Sequence, residues 1–189
     1  MDGISHDFIW RRLDIPSLEY CTVEFSPRLQ MRGQVVAELN SHPVCASYVL
    51  HCDADGTTEE CAVTLESQGV VKHLTIARGG DGRWWRDGCE LPEFQGVRDI
   101  DLGVTPATNT LPIRRLKLSP GDSARLVAVW VKFPELAVLP LEQVYARLDA
   151  HTYRYQSFAS GYEAVLTVDG DGLVTRYANV WERLRRKLF

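Results

Sequence analysis

Long hydrophobic runs are missing from this chain of 189 residues. Its longest apolar stretches, Leu126 to Val131 and Leu136 to Leu141, fall far short of the ~20 residues that a helix needs to cross a bilayer. No transmembrane segment is expected. A secretory leader is missing too: Met1 to Asp7 is polar and acidic where export needs a basic start and then an apolar segment. The expected location is cytoplasmic, which keeps the five cysteines reduced. A strong excess of one charge is missing. Lys and Arg number 21 against 25 Asp and Glu, a net charge of −4, and this argues against nucleic acid as a partner.

Metal and nucleophile motifs are lacking as well. Cys21, Cys45, Cys52, Cys61 and Cys89 form no C-x-x-C pair and have no histidine pair at zinc spacing, so they read as small buried hydrophobes. The five histidines lie in separate segments. There is no Gly-x-Ser-x-Gly elbow and no His-Glu-x-x-His. Asp169-Gly170-Asp171-Gly172 lacks the closing glutamate of a calcium loop, and Gly79-Gly80-Asp81-Gly82 lacks the Lys-Ser/Thr of a phosphate loop. Both read as hairpin turns, and neither metal nor cofactor is expected.

What is present is a recurring short run of β-branched and aromatic residues followed by a turn signal, the pattern of antiparallel strands joined by hairpins. Strands are expected near 7–13, 18–26, 30–39, 45–53, 58–67, 70–77, 83–86, 124–133, 153–158, 162–168 and 174–181. Residues 139–148 fit strand or helix. Gly33 reads as a bulge, and 181–189 as a short basic helical tail. Four prolines between Cys89 and Gly121 forbid a long regular element there, leaving room for a turn or two of helix around 113–118. With no internal repeat or linker, one mainly β domain over 1–189 is expected. Its alternating strands also allow a homodimer that pairs sheet edges.

The densest polar chemistry lies between Trp84 and Leu116. If extended, Asp99 and Asp101 share one face, about 7 Å apart at ~3.3–3.4 Å per residue. Like charges that close need a cation, and the forked guanidinium of Arg114 or Arg115 is suited to a carboxylate. Thr105, Thr108, Asn109 and Thr110 can bond backbone groups that an irregular segment leaves unpaired. The block therefore reads as a polar clasp, a binding site, or both, with Trp84, Trp85 or Trp130 as apolar walls.

The run Thr105-Pro106-Ala107-Thr108-Asn109-Thr110-Leu111-Pro112-Ile113-Arg114-Arg115-Leu116 resembles the signature of the bacterial putative glycolipid-binding family. So do Asp99-Ile100-Asp101-Leu102 and Trp84-Trp85-Arg86-Asp87-Gly88 before it. Phe133-Pro134-Glu135-Leu136, Tyr153-Arg154-Tyr155 and the hairpin around Val168-Asp169 and Gly172-Leu173-Val174 extend the similarity over nearly the whole chain. Val97 stands where a cysteine is expected, and Ala178-Asn179 where Pro-Gly is expected. The resemblance implies a curved antiparallel sheet forming a split or half barrel with few short helices. It also implies a non-catalytic protein with a lipid or glycolipid ligand. On that reading acyl chains lie on a concave apolar face, and the Asp/Arg/Thr/Asn block stands at the pocket mouth. The ligand-binding residues would be Trp84, Trp85, Arg86, Asp99, Asp101, Thr105, Thr108, Asn109, Arg114, Arg115, Trp130, Tyr153 and Tyr155. The alternative is an enzyme acting on a small polar metabolite, with an Asp general base and an Arg clamp.

Overall fold

The computed structural model of the protein describes residues 5–158 and 161–184. Its strands follow a period of two. In β2 (Ser17–Glu24) the side chains of Ser17, Glu19, Cys21 and Val23 point inward and their neighbours outward. β3 (Gln30–Leu39) buries Met31, Gly33, Val35 and Ala37 in the same alternation, and β4 (His42–Cys52) buries Val44, Ala46, Tyr48, Leu50 and Cys52. One face of each strand thus supplies core and the other faces water, as expected of an antiparallel sheet solvated on one side.

These strands belong to one curved sheet of fifteen that does not close. β1 (Ser5–Arg12) lies near its centre. On one side follow β2, β3, β4, β5 (Thr58–Ser67), β6 (Val70–Arg78), β7 (Trp84–Arg86) and β8 (Cys89–Glu90). On the other side β1 meets β15 (Trp181–Leu184). The order then runs back through β14 (Val174–Tyr177), β13 (Tyr162–Val168), β12 (Thr152–Ser157), β11 (Ala137–Arg147) and β10 (Ser123–Lys132) to β9 (Asp99–Leu102). β9 pairs parallel with β10, and the other neighbours are antiparallel. The two edge strands, β8 and β9, hold two and four residues, so an edge-paired dimer would have little ladder to build on.

β8 and β9 are neighbours in sequence but lie at opposite ends of the sheet. Residues 91–98 join them across the gap, stitched by Gly96 N–H to the Gly82 carbonyl (3.0 Å) and Thr58 N–H to the Arg98 carbonyl (3.0 Å). From β9 the chain turns into the concavity. Residues 104–113 are buried without a break, as a 3₁₀ turn at Ala107–Asn109 leads into the single described helix, α1 (Thr110–Leu116). They pack with Trp10, Met31, Leu50, Ile76, Trp84 and Leu102, all fully buried. Each such side chain contributes about 1.5–3 kcal/mol by leaving water. The expected apolar hollow for acyl chains is therefore occupied by the protein's own polar block and core.

Several local expectations change. Gly33 is not a bulge: it pairs in regular register with Cys21 and Tyr48. A Cβ there would stand 2.1 Å from Tyr48 Cε1, so glycine is required by the ring lying across the strand. Residues 137–147 form strand β11. The helix starts earlier than expected, at Thr110. Trp181–Leu184 is strand, not helix, because it pairs with Arg12 to Ile9 of β1, and 185–189 lie outside the described residues. Cys21, Cys52 and Cys61 are buried as expected, whereas Cys45 and Cys89 are exposed. Burial pushes the Cys52 thiol up to about 12, with nearby carboxylates adding to the shift.

Candidate functional site

Asp99 and Asp101 project from the same side of β9 but meet different partners. Asp99 is buried and accepts both Nε (3.2 Å) and Nη2 of Arg115, a bidentate ion pair. Burial raises its carboxyl above the ordinary value, and the Arg115 guanidinium opposes that shift. Among the described residues Asp101 has no cationic partner. Its Oδ2 accepts from the Gln143 amide at 2.5 Å, and desolvation lifts its pKa to about 6. Arg114 pairs with neither aspartate: it lies over the Phe25 ring at 4.0 Å and donates to the Asp171 carbonyl at 2.5 Å.

The polar groups of the block largely satisfy one another, except that the buried Thr110 hydroxyl, expected to bond its surroundings, has no partner among the described residues. Thr105 Oγ1 accepts from the Ala107 N–H (3.0 Å) and donates to Glu19 Oε1 (2.8 Å). Thr108 Oγ1 accepts from the Leu102 N–H (3.3 Å). Asn109 donates to the Pro106 carbonyl (3.2 Å) and accepts from the Tyr145 hydroxyl (2.8 Å). The clasp is real, and it ties the plug to β2 and β11.

Two cavities flank this plug. The smaller, about 370 Å³, is walled by Trp130, Tyr155, Tyr162, Tyr177 and Trp181. Asp101, Thr105 and Asn109 supply its polar wall, and the Arg12–Asp14 ion pair also lines it. The tyrosines form an edge-to-face cluster, with Tyr155 and Tyr177 centroids 5.9 Å apart and Tyr162 and Tyr177 6.1 Å apart. Trp130 presses against Gly103, where a Cβ would come within 3.0 Å of its Nε1. Aromatic faces beside a recessed carboxylate and an amide suit a polyhydroxylated ring: the faces cover C–H groups and the polar atoms take hydroxyls. The larger cavity, about 930 Å³, receives the end of α1 with Arg114 and Arg115, and Tyr153.

The expected site residues therefore divide. Asp101, Thr105, Asn109, Trp130 and Tyr155 converge on the aromatic cavity, and Arg114, Arg115 and Tyr153 on the larger one. Asp99 and Thr108 are buried in the plug between them. Trp84 is fully buried and donates its indole N–H to the Val97 carbonyl (2.9 Å). Trp85 stacks under Arg83 at 5.4 Å, and Arg86 sits beside Asp87; both lie on β7, remote in sheet order from β9. Sequence reasoning missed Tyr162, Tyr177, Arg12 and Gln143, which only the sheet order brings to Asp101. It also missed Glu19, fully buried, whose Oε1 accepts from Tyr48 (2.6 Å) and Thr105. A carboxylate in register with Cys21 and Val23 on the inward face of β2 was its visible signal.

An open β sheet plugged by its own polar segment, with two cavities beside the plug, defines a β protein built on a single curved sheet. Residues 7–183 match the model of the family described as "Putative glycolipid-binding", and the chain belongs to that family. It is similar to a protein of the DUF1089 family from Pseudomonas aeruginosa, known from a crystal structure. The two share 36% identity over 88% of this chain and 92% of that one, with a TM-score of 0.80. No curated protein matches the chain. No described helix is long and apolar enough to cross a membrane.

Proposed function

We propose that the protein is a non-catalytic binding protein for the glycosyl headgroup of a lipid, and that the headgroup sits in the aromatic cavity around Asp101. The observation that carries this reading is the recessed Asp101 carboxylate, bound through one oxygen to Gln143 and framed by Trp130, Tyr155 and Tyr177. The family's description points to the same ligand class. Because the concave face is filled, the reading commits to the headgroup, and the acyl chains stay outside the core. Thr105 and Asn109 form the cavity's wall and are held by the clasp, so the site is preorganised and loses little freedom on binding.

One observation favours a second reading. A carboxyl with a pKa of about 6 at a cavity wall is poised for proton transfer, and Asp14, which burial would raise but Arg12 and backbone N–H groups hold below its ordinary value, lines the same cavity. Arg114 and Arg115, the clamp of that enzyme reading, face the other cavity.

Calorimetric titration of the full chain with neutral alkyl glycosides separates the two. The binding reading expects saturable heat and ligand recovered intact, with affinity reduced about tenfold or more by Asp101→Asn, since a hydrogen bond to a charged group contributes ~1.5–3 kcal/mol. Trp130→Ala should weaken it independently. Conversion of the glycoside, abolished by Asp101→Asn, would favour the enzyme. Absence of both heat and conversion would remove both readings.

A further inference from the structure

The larger cavity carries a charge pattern that the glycosyl reading does not use. We propose that it is a second site, which takes a phosphate-bearing ligand through Arg98, Arg114, Lys117 and Arg147. Six basic side chains face this one space in a protein of net charge −4. Two are already neutralised, Arg28 by Glu59 and Arg115 by Asp99. The other four have no carboxylate partner among the described residues. Like charges without a direct ion-pair partner around a shared cavity repel one another, and an anion held between them reduces that repulsion.

The guanidinium groups are also held in place. Arg147 donates to the carbonyls of Leu118 (2.7 Å), Asp149 (3.0 Å) and Ala150 (2.8 Å) and lies over Tyr153. Arg114 is fixed between Phe25 and the Asp171 carbonyl. Arg98 donates through Nε and Nη2 to Thr57 Oγ1. Each uses only part of its five donors, so N–H groups remain in a fixed fork, the arrangement that matches phosphate oxygens. Little side-chain freedom is left to lose on binding.

Four aspartates, Asp53, Asp55, Asp169 and Asp171, also line the cavity; Asp171 lies 3.5 Å from His6, and two of the others are held by their own turns. Asp53 Oδ1 accepts from the N–H groups of Asp55 and Thr57 at 2.9 Å, and Asp169 Oδ1 from those of Asp171 (3.1 Å) and Leu173 (3.0 Å). The other Asp169 oxygen pairs with Arg183. At about 930 Å³ the space exceeds a lone phosphate, and its floor includes Leu111, Ile113 and Val168. The ligand class is therefore a phosphate ester of a larger molecule, either a soluble phosphorylated metabolite or a phospholipid headgroup.

The test uses the full chain in two arms: calorimetry with glycerol 3-phosphate and with pyrophosphate, and sedimentation with phosphatidylcholine vesicles containing or lacking phosphatidylglycerol. Saturable binding that weakens with salt is expected in at least one arm. The soluble arm identifies a metabolite, and the vesicle arm alone identifies a headgroup. In the arm that binds, Lys117→Gln and Arg114→Gln should each lower affinity about tenfold or more with the thermal midpoint unchanged. Arg125→Gln, which breaks an exposed pair with Glu142 outside the cavity, should have no effect. Lys117 is exposed, so its variant folds even where an arginine variant does not. No binding in either arm, or binding that Lys117→Gln and Arg114→Gln leave intact, overturns the proposal. Neutral glycosides probe the other cavity, so the two proposals fail separately.

Discussion

Asp99 and Asp101 are two residues apart, yet one is a structural anchor and the other faces a cavity. Removing the Asp99 carboxylate strands Arg115, which is itself mostly buried. Breaking one side of such a pair costs ~3–5 kcal/mol, so Asp99→Ala should lower the denaturant midpoint strongly. Asp101→Asn keeps the shape and the Gln143 contact and should cost far less; equal losses for the two would contradict this division. Glu19 sets a pH dependence. Burial raises its carboxyl from the ordinary 4.5 to about 8, against the hydrogen bonds from Tyr48 and Thr105 that lower it. Between those values the folded protein keeps a proton that the unfolded chain has lost. Stability therefore falls as pH rises from 4.5 to 8 and levels off above. Asp101 acts in the same sense between 3.8 and about 6. Urea unfolding across this range should show the slope in the wild type and a flatter one in Glu19→Gln; an unchanged slope would remove Glu19 as its source.

At the scale of elements, the plug 99–116 and the strands it touches act as one unit. Gly33 admits the Tyr48 ring, whose hydroxyl holds Glu19, which in turn holds Thr105. Gly33→Ala must displace that ring, and overpacking of this kind costs ~1–3 kcal/mol or more. It should also loosen the plug, read as faster amide exchange at Ala107, whose N–H is bonded to Thr105; exchange confined to β3 and β4 would show that the chain of contacts is not coupled. Much of this level was legible beforehand. The alternation of β2, β3 and β4 and the turns at Asp53 and Asp169 rest on local chemistry. The aspartate–arginine pairing was legible in kind, but Arg114 and Arg115 stood open as the cation, and only Asp99 takes one, Arg115. The reach of Arg114 to Phe25 and of Asp101 to Gln143 was not legible, because each contact joins elements far apart in sequence that only the tertiary fold brings together. The C-terminal strand was misread because a basic, amphipathic run carries no mark of the partner strand β1 that fixes it.

For the whole molecule, the decisive fact is that the sheet encloses its own polar segment rather than an empty trough. Family resemblance gave the curved antiparallel sheet, but not what fills it, since a concave face looks the same in sequence whether a lipid or the chain itself covers it. On the proposed reading, the filled interior moves ligand recognition to the ends of the plug, with aromatic groups and Asp101 on one side and basic groups on the other. The five tryptophans offer a direct reading of the first of these. Trp130 lines the aromatic cavity, whereas Trp84 and Trp10 are fully buried with their indole N–H groups bonded to the Val97 and Val174 carbonyls. In a nitrogen-resolved NMR titration with an alkyl glycoside, the account predicts that the Trp130 indole signal shifts saturably while those of Trp84 and Trp10 stay in place. An unmoved Trp130 signal at saturating glycoside, or equal movement of all three, would contradict it.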